Sequence, residues 1–91
     1  MFLHLGNATV VHQDDIIGIF DLDNTTVSKA TREYLAKAEK DGRVINVSPE
    51  LPKSFIVCEN EDKTQEPTVY ICQISTSTLI KRADSGLIDI K

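Results

Sequence analysis

The apolar run IIGIFDLDNTTV, Ile16 to Val27, ends in the first residues whose types and spacing could do chemistry. Asp21, Asp23 and Thr25 spell D-x-D-x-T, the pattern of magnesium-dependent phosphatases. In that reaction the first carboxylate attacks phosphorus and the second handles the proton. Such a site also needs its nucleophile at the carboxyl end of a parallel strand, further carboxylates on the metal and a later lysine. Parallel strands need crossovers, and each βαβ unit takes about 30 residues or more. Only 66 residues follow Thr25, and their pattern is one long helix and then hairpin-like strands. The same letters also make a helix start. Asp23, Asn24, Thr25 and Thr26 all favour the N-cap, where one side chain accepting a backbone N–H is worth about 0.5–2 kcal/mol. Asp21 and Asp23 near the positive helix end add about 0.3–1 kcal/mol each. The motif is expected to be a cap, and the chain not to be an enzyme.

Other reactive side chains are sparse. His4 and His12 fall in neighbouring strands, where a shared metal would need two more ligands and Asp14 is the nearest candidate. They are expected to be ordinary core or edge histidines. Ser75, Thr76, Ser77 and Thr78 have no histidine partner in view, and capping accounts for them. Cys58 and Cys72 sit in the apolar runs SFIVCE and VYICQI, with no second cysteine or histidine at ligand spacing. Buried reduced thiols are expected, with no metal and no cofactor.

Charge is the remaining resource. The net charge is −4, unevenly spread. Residues 1–24 carry four acids and no base, and residues 25–53 carry six bases against four acids. A nucleic-acid surface therefore fits only the middle segment or the C-terminal end. Its candidate phosphate contacts are Lys29, Arg32, Arg43 and Lys53, with Lys81 and Arg82 as outliers. The bland alternative is a solvated helix face, since Glu33, Glu39 and Asp41 interleave with the cations.

The elements that must position these residues follow from periodicity. FLHL and ATVVH flank a hairpin turn at Gly6-Asn7, and Asp14-Asp15 turns into a strand over 16–22. From Val27, apolar or small residues at Val27, Ala30, Thr31, Tyr34, Leu35 and Ala38 give a helix ending at Gly42, with Glu33 and Lys37 as an i, i+4 pair. Strands follow at 43–48, 54–59 and 68–74, the last two paired across an acidic loop. A short helix capped by Ser75 or Ser77 closes the order β-β-β-α-β-β-β-α. The fold class is α+β: one small domain over 1–83 with a mostly antiparallel sheet, a central amphipathic helix and a short C-terminal helix. Residues 84–91 form a tail without a readable pattern. With 91 residues and 41% hydrophobic content, the chain folds with little stability to spare. No run approaches the roughly 18 apolar residues of a membrane span, and the N-terminus lacks a signal-peptide pattern, so a cytoplasmic protein is expected.

The ensemble FLHLGN, VV, DIIGIFDLD, TREYLAKAEKDGRVINVS, LPKSFIV, VYICQIS and TLIKRA resembles the RemA-like family of small bacterial regulators, nearest its RemB type of extracellular-matrix regulators. The resemblance covers nearly the whole chain, from Phe2 to about Ala83. It implies a cytosolic, non-enzymatic protein. RemA itself is a DNA-binding regulator of biofilm matrix genes and assembles into ring-like homo-oligomers that present basic residues to DNA. Matching the helix, Arg32 lies at a position that is basic in the relative. RemA-type chains also carry an arginine before the strand that begins here at Ile16, where this chain has Gln13-Asp14-Asp15. Their arginine-rich loop after strand 43–48 reads Ser48-Pro49-Glu50-Leu51-Pro52-Lys53 here. Losing such contacts weakens DNA affinity, which scales with the phosphates neutralised, while a ring recovers part of it through multivalency. The implied partners are further copies of the chain and DNA. A protein partner is the alternative, suited by the acidic first quarter and the acidic loop.

Overall fold

The computed structural model describes residues 1–22 and 28–89, the last six as backbone only. Strands β1 (Phe2–Gly6) and β2 (Thr9–His12) form a hairpin, and one 3₁₀ turn, Gln13–Asp15, leads into β3 (Ile16–Asp21). Helix α1 (Lys29–Lys40) and strands β4 (Val44–Asn46), β5 (Ser54–Cys58) and β6 (Thr68–Cys72) follow, then helix α2 (Thr76–Asp89). The class is the expected α+β.

The four-stranded sheet has the order β3-β5-β6-β4. β5 is antiparallel to both β3 and β6, whereas β4 runs parallel to β6. β3, β4 and β6 therefore share one direction, and α1 carries the chain from one edge of the sheet to the other. The sheet is mostly antiparallel, as expected, with one parallel pair, β4 and β6, made by this crossover. The β5–β6 hairpin, later in sequence, fills the space between β3 and β4, and no local pattern announces such an insertion.

Burial follows the strand period of two. On one face, Ile56, Cys58 and Cys72 pack with Leu3, Leu5 and Val11 of the hairpin, with Val47, and with Leu79 of α2. On the other, Phe55, Val57 and Val69 pack under Ala38, with Tyr34 and Leu35 against them. The central strand β5 is buried along its whole length. Both cysteines are free and buried, at opposite ends of the β5–β6 ladder: Cys58 faces Thr68, and Cys72 faces Ser54.

The caps differ in detail from the sequence reading. Ser28 is the N-cap of α1, accepting the Thr31 N–H at 3.1 Å, so the cap lies beyond the D-x-D-x-T stretch. Asp23, Asn24, Thr25, Thr26 and Val27 lie outside the described residues. At the far end Gly42 takes φ +74°, the conformation expected of it. Glu33 pairs with Lys29, and Lys37 with Asp41, instead of with each other. Ser75 caps α2, which continues beyond Ala83 to Asp89.

Candidate nucleic-acid interface

The crossover separates Lys29 and Arg32, at the start of α1, from Arg43, which leads into β4. Lys53 leads into the inner strand β5: its carbonyl accepts the Leu22 N–H at 2.8 Å just after β3 ends, and its own N–H donates to the Cys72 carbonyl of β6 at 2.9 Å. Ala30 and Thr31, in the first turn of α1, line a groove with Ile17 and Phe20 of β3, which sets Lys29 and Arg32 on the β3 side. Lys29, Arg32 and Lys53 are all exposed, and Lys29 meets Glu33 only at 3.9 Å. An exposed pair at that distance is worth little and leaves the ammonium able to meet another anion.

On the β4 side Arg43 is tied into the fold, while Lys37 makes surface ion pairs. The Arg43 guanidinium donates to the Pro67 carbonyl at 2.7 Å and to Asp41 at 3.2 Å, and stands 3.4 Å from Glu66. Its cationic centre also lies 5.9 Å from the centroid of the Tyr34 ring. The Arg43 side chain is 13% exposed, so it joins α1, β4 and the β6 approach and has little surface to offer. Lys37 bridges Asp41 at 3.0 Å and Glu66 at 3.3 Å. Its hydrogen bond to Asp41 holds the Asp41 carboxyl below its ordinary value, while hydrogen bonds to Asp41 and Glu66 raise Lys37. Lys81 and Arg82 stand apart on α2, where Arg82 donates to the His4 carbonyl at 3.1 Å.

The groove beside the β3 cations went unnoticed in the sequence. Its volume is about 340 Å³, and Tyr34, Phe55 and Val57 complete its apolar lining. Ile17 is the bulged residue of the β3–β5 ladder, and it is 60% exposed. The Phe20 ring lies over Gly18 and stacks on Phe55 at 4.8 Å; a Cβ on Gly18 would meet that ring at 2.7 Å. The available signal was the isolated glycine in a strand, which marks a bulge or a close approach. Leu51, between two prolines, is 84% exposed.

The remaining reactive groups stay apart or inert. Asp21 is exposed at the carboxyl end of β3, and Asp23 is not among the described residues. Among the described residues no three of His, Cys, Asp and Glu stand where they could hold a metal ion. His12 stacks near Phe2, with ring centroids 4.2 Å apart, and shares a wide pocket with Asp15, Cys58, Glu59, Glu61 and Tyr70. Burial pushes the Cys58 thiol up to about 11, so it stays protonated and unreactive. Within the described residues, no helix is long and apolar enough to cross a membrane.

Comparison with known proteins joins these features to one family. Residues 2–83 match the model of RemA-like proteins, described as extracellular matrix regulatory protein A-like. The chain is also 35% identical over 83 residues to extracellular matrix regulatory protein B of Bacillus subtilis (strain 168), covering 91% of this chain and 90% of that one. The chain belongs to the RemA-like family of extracellular matrix regulatory proteins.

Proposed function

We propose that this chain is a cytoplasmic, non-enzymatic regulator that works as a homo-oligomer and binds DNA through phosphate contacts. The observation that carries the reading is the exposure of Lys29 and Arg32 at the start of α1, on the β3 side, and of Lys53 at the start of β5, in a RemA-like domain. Arg43 contributes structure, and Lys81 and Arg82 supply a secondary patch. A single copy offers few cations against a net charge of −4, so useful affinity comes from repetition in an assembly. Contacts of this kind grip the backbone of the duplex without reading its bases.

Anisotropy of a labelled A·T-rich duplex, titrated at about 50 mM and about 200 mM salt, tests this. The expected result is binding that falls steeply with salt. Absence of binding at the lower salt, from folded protein, would overturn it. The acidic pocket lined by Asp15, Glu59 and Glu61 supports a second reading, a module that docks a basic protein partner. Co-purification of one specific partner without DNA would favour that reading.

A further inference from the structure

The outer face of the β1–β2 hairpin carries two imidazoles that the core leaves unused. Along both strands burial alternates: Leu3, Leu5 and Val11 point into the core, while Phe2, His4, Val10 and His12 are exposed on the opposite face. The register pairs Phe2 with His12 and His4 with Val10, so His4 and His12 are diagonal neighbours across the ladder. The irregularity in that ladder falls beyond His4, and the pairing is regular at both histidines. Diagonal neighbours stand about 7–8 Å apart, less between Cβ atoms, and side chains of this length reach across.

The two rings stand on a fixed frame. The Gln13 N–H donates to the Met1 carbonyl at 3.0 Å, and Arg82 donates to the His4 carbonyl at 3.1 Å, so the ladder is pinned beside His12 and at His4. The Phe2 ring, 4.2 Å from the His12 ring between centroids, restricts that imidazole. Among the described residues neither imidazole has a hydrogen-bond partner. Each neutral imidazole therefore keeps one nitrogen lone pair for a metal ion. Two such donors suit Zn²⁺, Ni²⁺ or Cu²⁺, whereas Mg²⁺ and Ca²⁺ take oxygen ligands. Zinc–nitrogen bonds of about 2.0–2.1 Å need the donor atoms roughly 3 Å apart, which rings at diagonal positions reach by leaning together. Among the described residues no three of His, Cys, Asp and Glu could hold a metal, so the rest of the shell is left to water.

We propose that His4 and His12 together bind one divalent transition-metal ion on the outer face of the hairpin. The ion joins β1 to β2, which form a two-stranded sheet separate from the four-stranded one. Only the folded register brings the two rings together, so binding stabilises the fold. The site uses none of the cations assigned to DNA and is independent of that function.

Calorimetric titration of the full chain, carrying no affinity tag, with Zn²⁺ tests the pair. One ion per chain is expected. His4→Gln and His12→Gln, both at exposed positions, should each weaken Zn²⁺ binding by roughly a hundredfold, because the second arm of a chelate acts at high effective concentration. Two independent histidine sites would instead leave each variant with half the wild-type stoichiometry at unchanged affinity, and that result would overturn the proposal. Melting curves supply a second readout: Zn²⁺ should raise the melting temperature of the wild type and of neither variant. Wild-type affinity in either variant, or no Zn²⁺ binding by the folded wild type, would also overturn it.

Discussion

The two edges of the sheet use the same residue types to opposite ends. At the β4 edge, Arg43 is locked to Asp41, Glu66 and the Pro67 carbonyl, and Lys37 adds exposed ion pairs to Asp41 and Glu66. Near the β3 edge, Lys29 and Arg32 are exposed at the start of α1, beside an apolar groove, and Lys53 is exposed where the inner strand β5 begins. Where an acid and a carbonyl face a cation across a half-buried junction, the cation becomes part of the fold. Where exposed cations stand near uncovered apolar surface, charge and hydrophobicity are both turned outward. Composition alone does not separate the two, because it is register that brings Pro67 and Glu66 to Arg43.

The largest effects should come from residues that belong to the fold alone. Phe55, the floor of the groove, is 3% exposed, and Phe55→Ala should cost about 3–5 kcal/mol in urea unfolding. Ile17 on the rim of the same groove is 60% exposed, and Ile17→Ala should stay within about 0.5 kcal/mol. Equal costs at floor and rim would mean that the groove is closed in solution. Arg43→Ala should cost about 1.5–3 kcal/mol, because it removes a charged donor from the Pro67 carbonyl and from Asp41. Its stability loss should not be matched by Lys53→Ala, and a matching loss would erase the difference between the edges.

A smaller gain serves as a control remote from both edges. The β1–β2 turn places Asn7 at φ 47° and Ala8 at φ 64°, and a glycine at the second position relieves the left-handed strain. Ala8→Gly should raise stability by about 0.5–1 kcal/mol and leave DNA binding untouched.

The smallest effect is a pH dependence confined to the β4 edge. Its hydrogen bond from Lys37 keeps the Asp41 carboxyl below its ordinary 3.8. A depressed carboxyl contributes stability that is complete above its unfolded-state value and lost as pH falls through its lower folded value. The melting-temperature gap between wild type and Asp41→Asn should be open well above 3.8 and close as pH falls through the lowered folded value of Asp41. Lys37, raised above 10.5, behaves in the opposite sense: its contribution is complete below 10.5 and lost as pH rises through its raised value. A gap that persists in acid would remove Asp41 from the β4 lock.

Local physics was legible in the sequence, and long-range pairing was not. The stripe Ala30, Tyr34, Leu35 and Ala38 announced α1, Gly42 announced its end, and the apolar run at β5 announced a central strand. The cap was misplaced because Thr25, Thr26 and Ser28 all satisfy the same preference, and only the backbone selects Ser28. The parallel placement of β4 beside β6 was invisible because three residues, Val44–Asn46, carry too short a pattern to fix a neighbour. Of the candidate cations, Lys29, Arg32, Lys53, Lys81 and Arg82 are exposed. Arg43 was drawn into the fold by partners 23 and 24 positions away in sequence, Glu66 and Pro67.

The salt slope of duplex binding, compared between the edges, tests the central claim most directly. Each phosphate contact contributes about 0.9 to the slope of log K against log salt. Arg32→Ala and Lys53→Ala should each flatten the slope by about that much per copy in contact with the duplex, while Lys37→Ala leaves it unchanged. Equal flattening from Lys37→Ala, or an unchanged slope in all three variants, would contradict the division of the molecule into a structural edge and a binding edge.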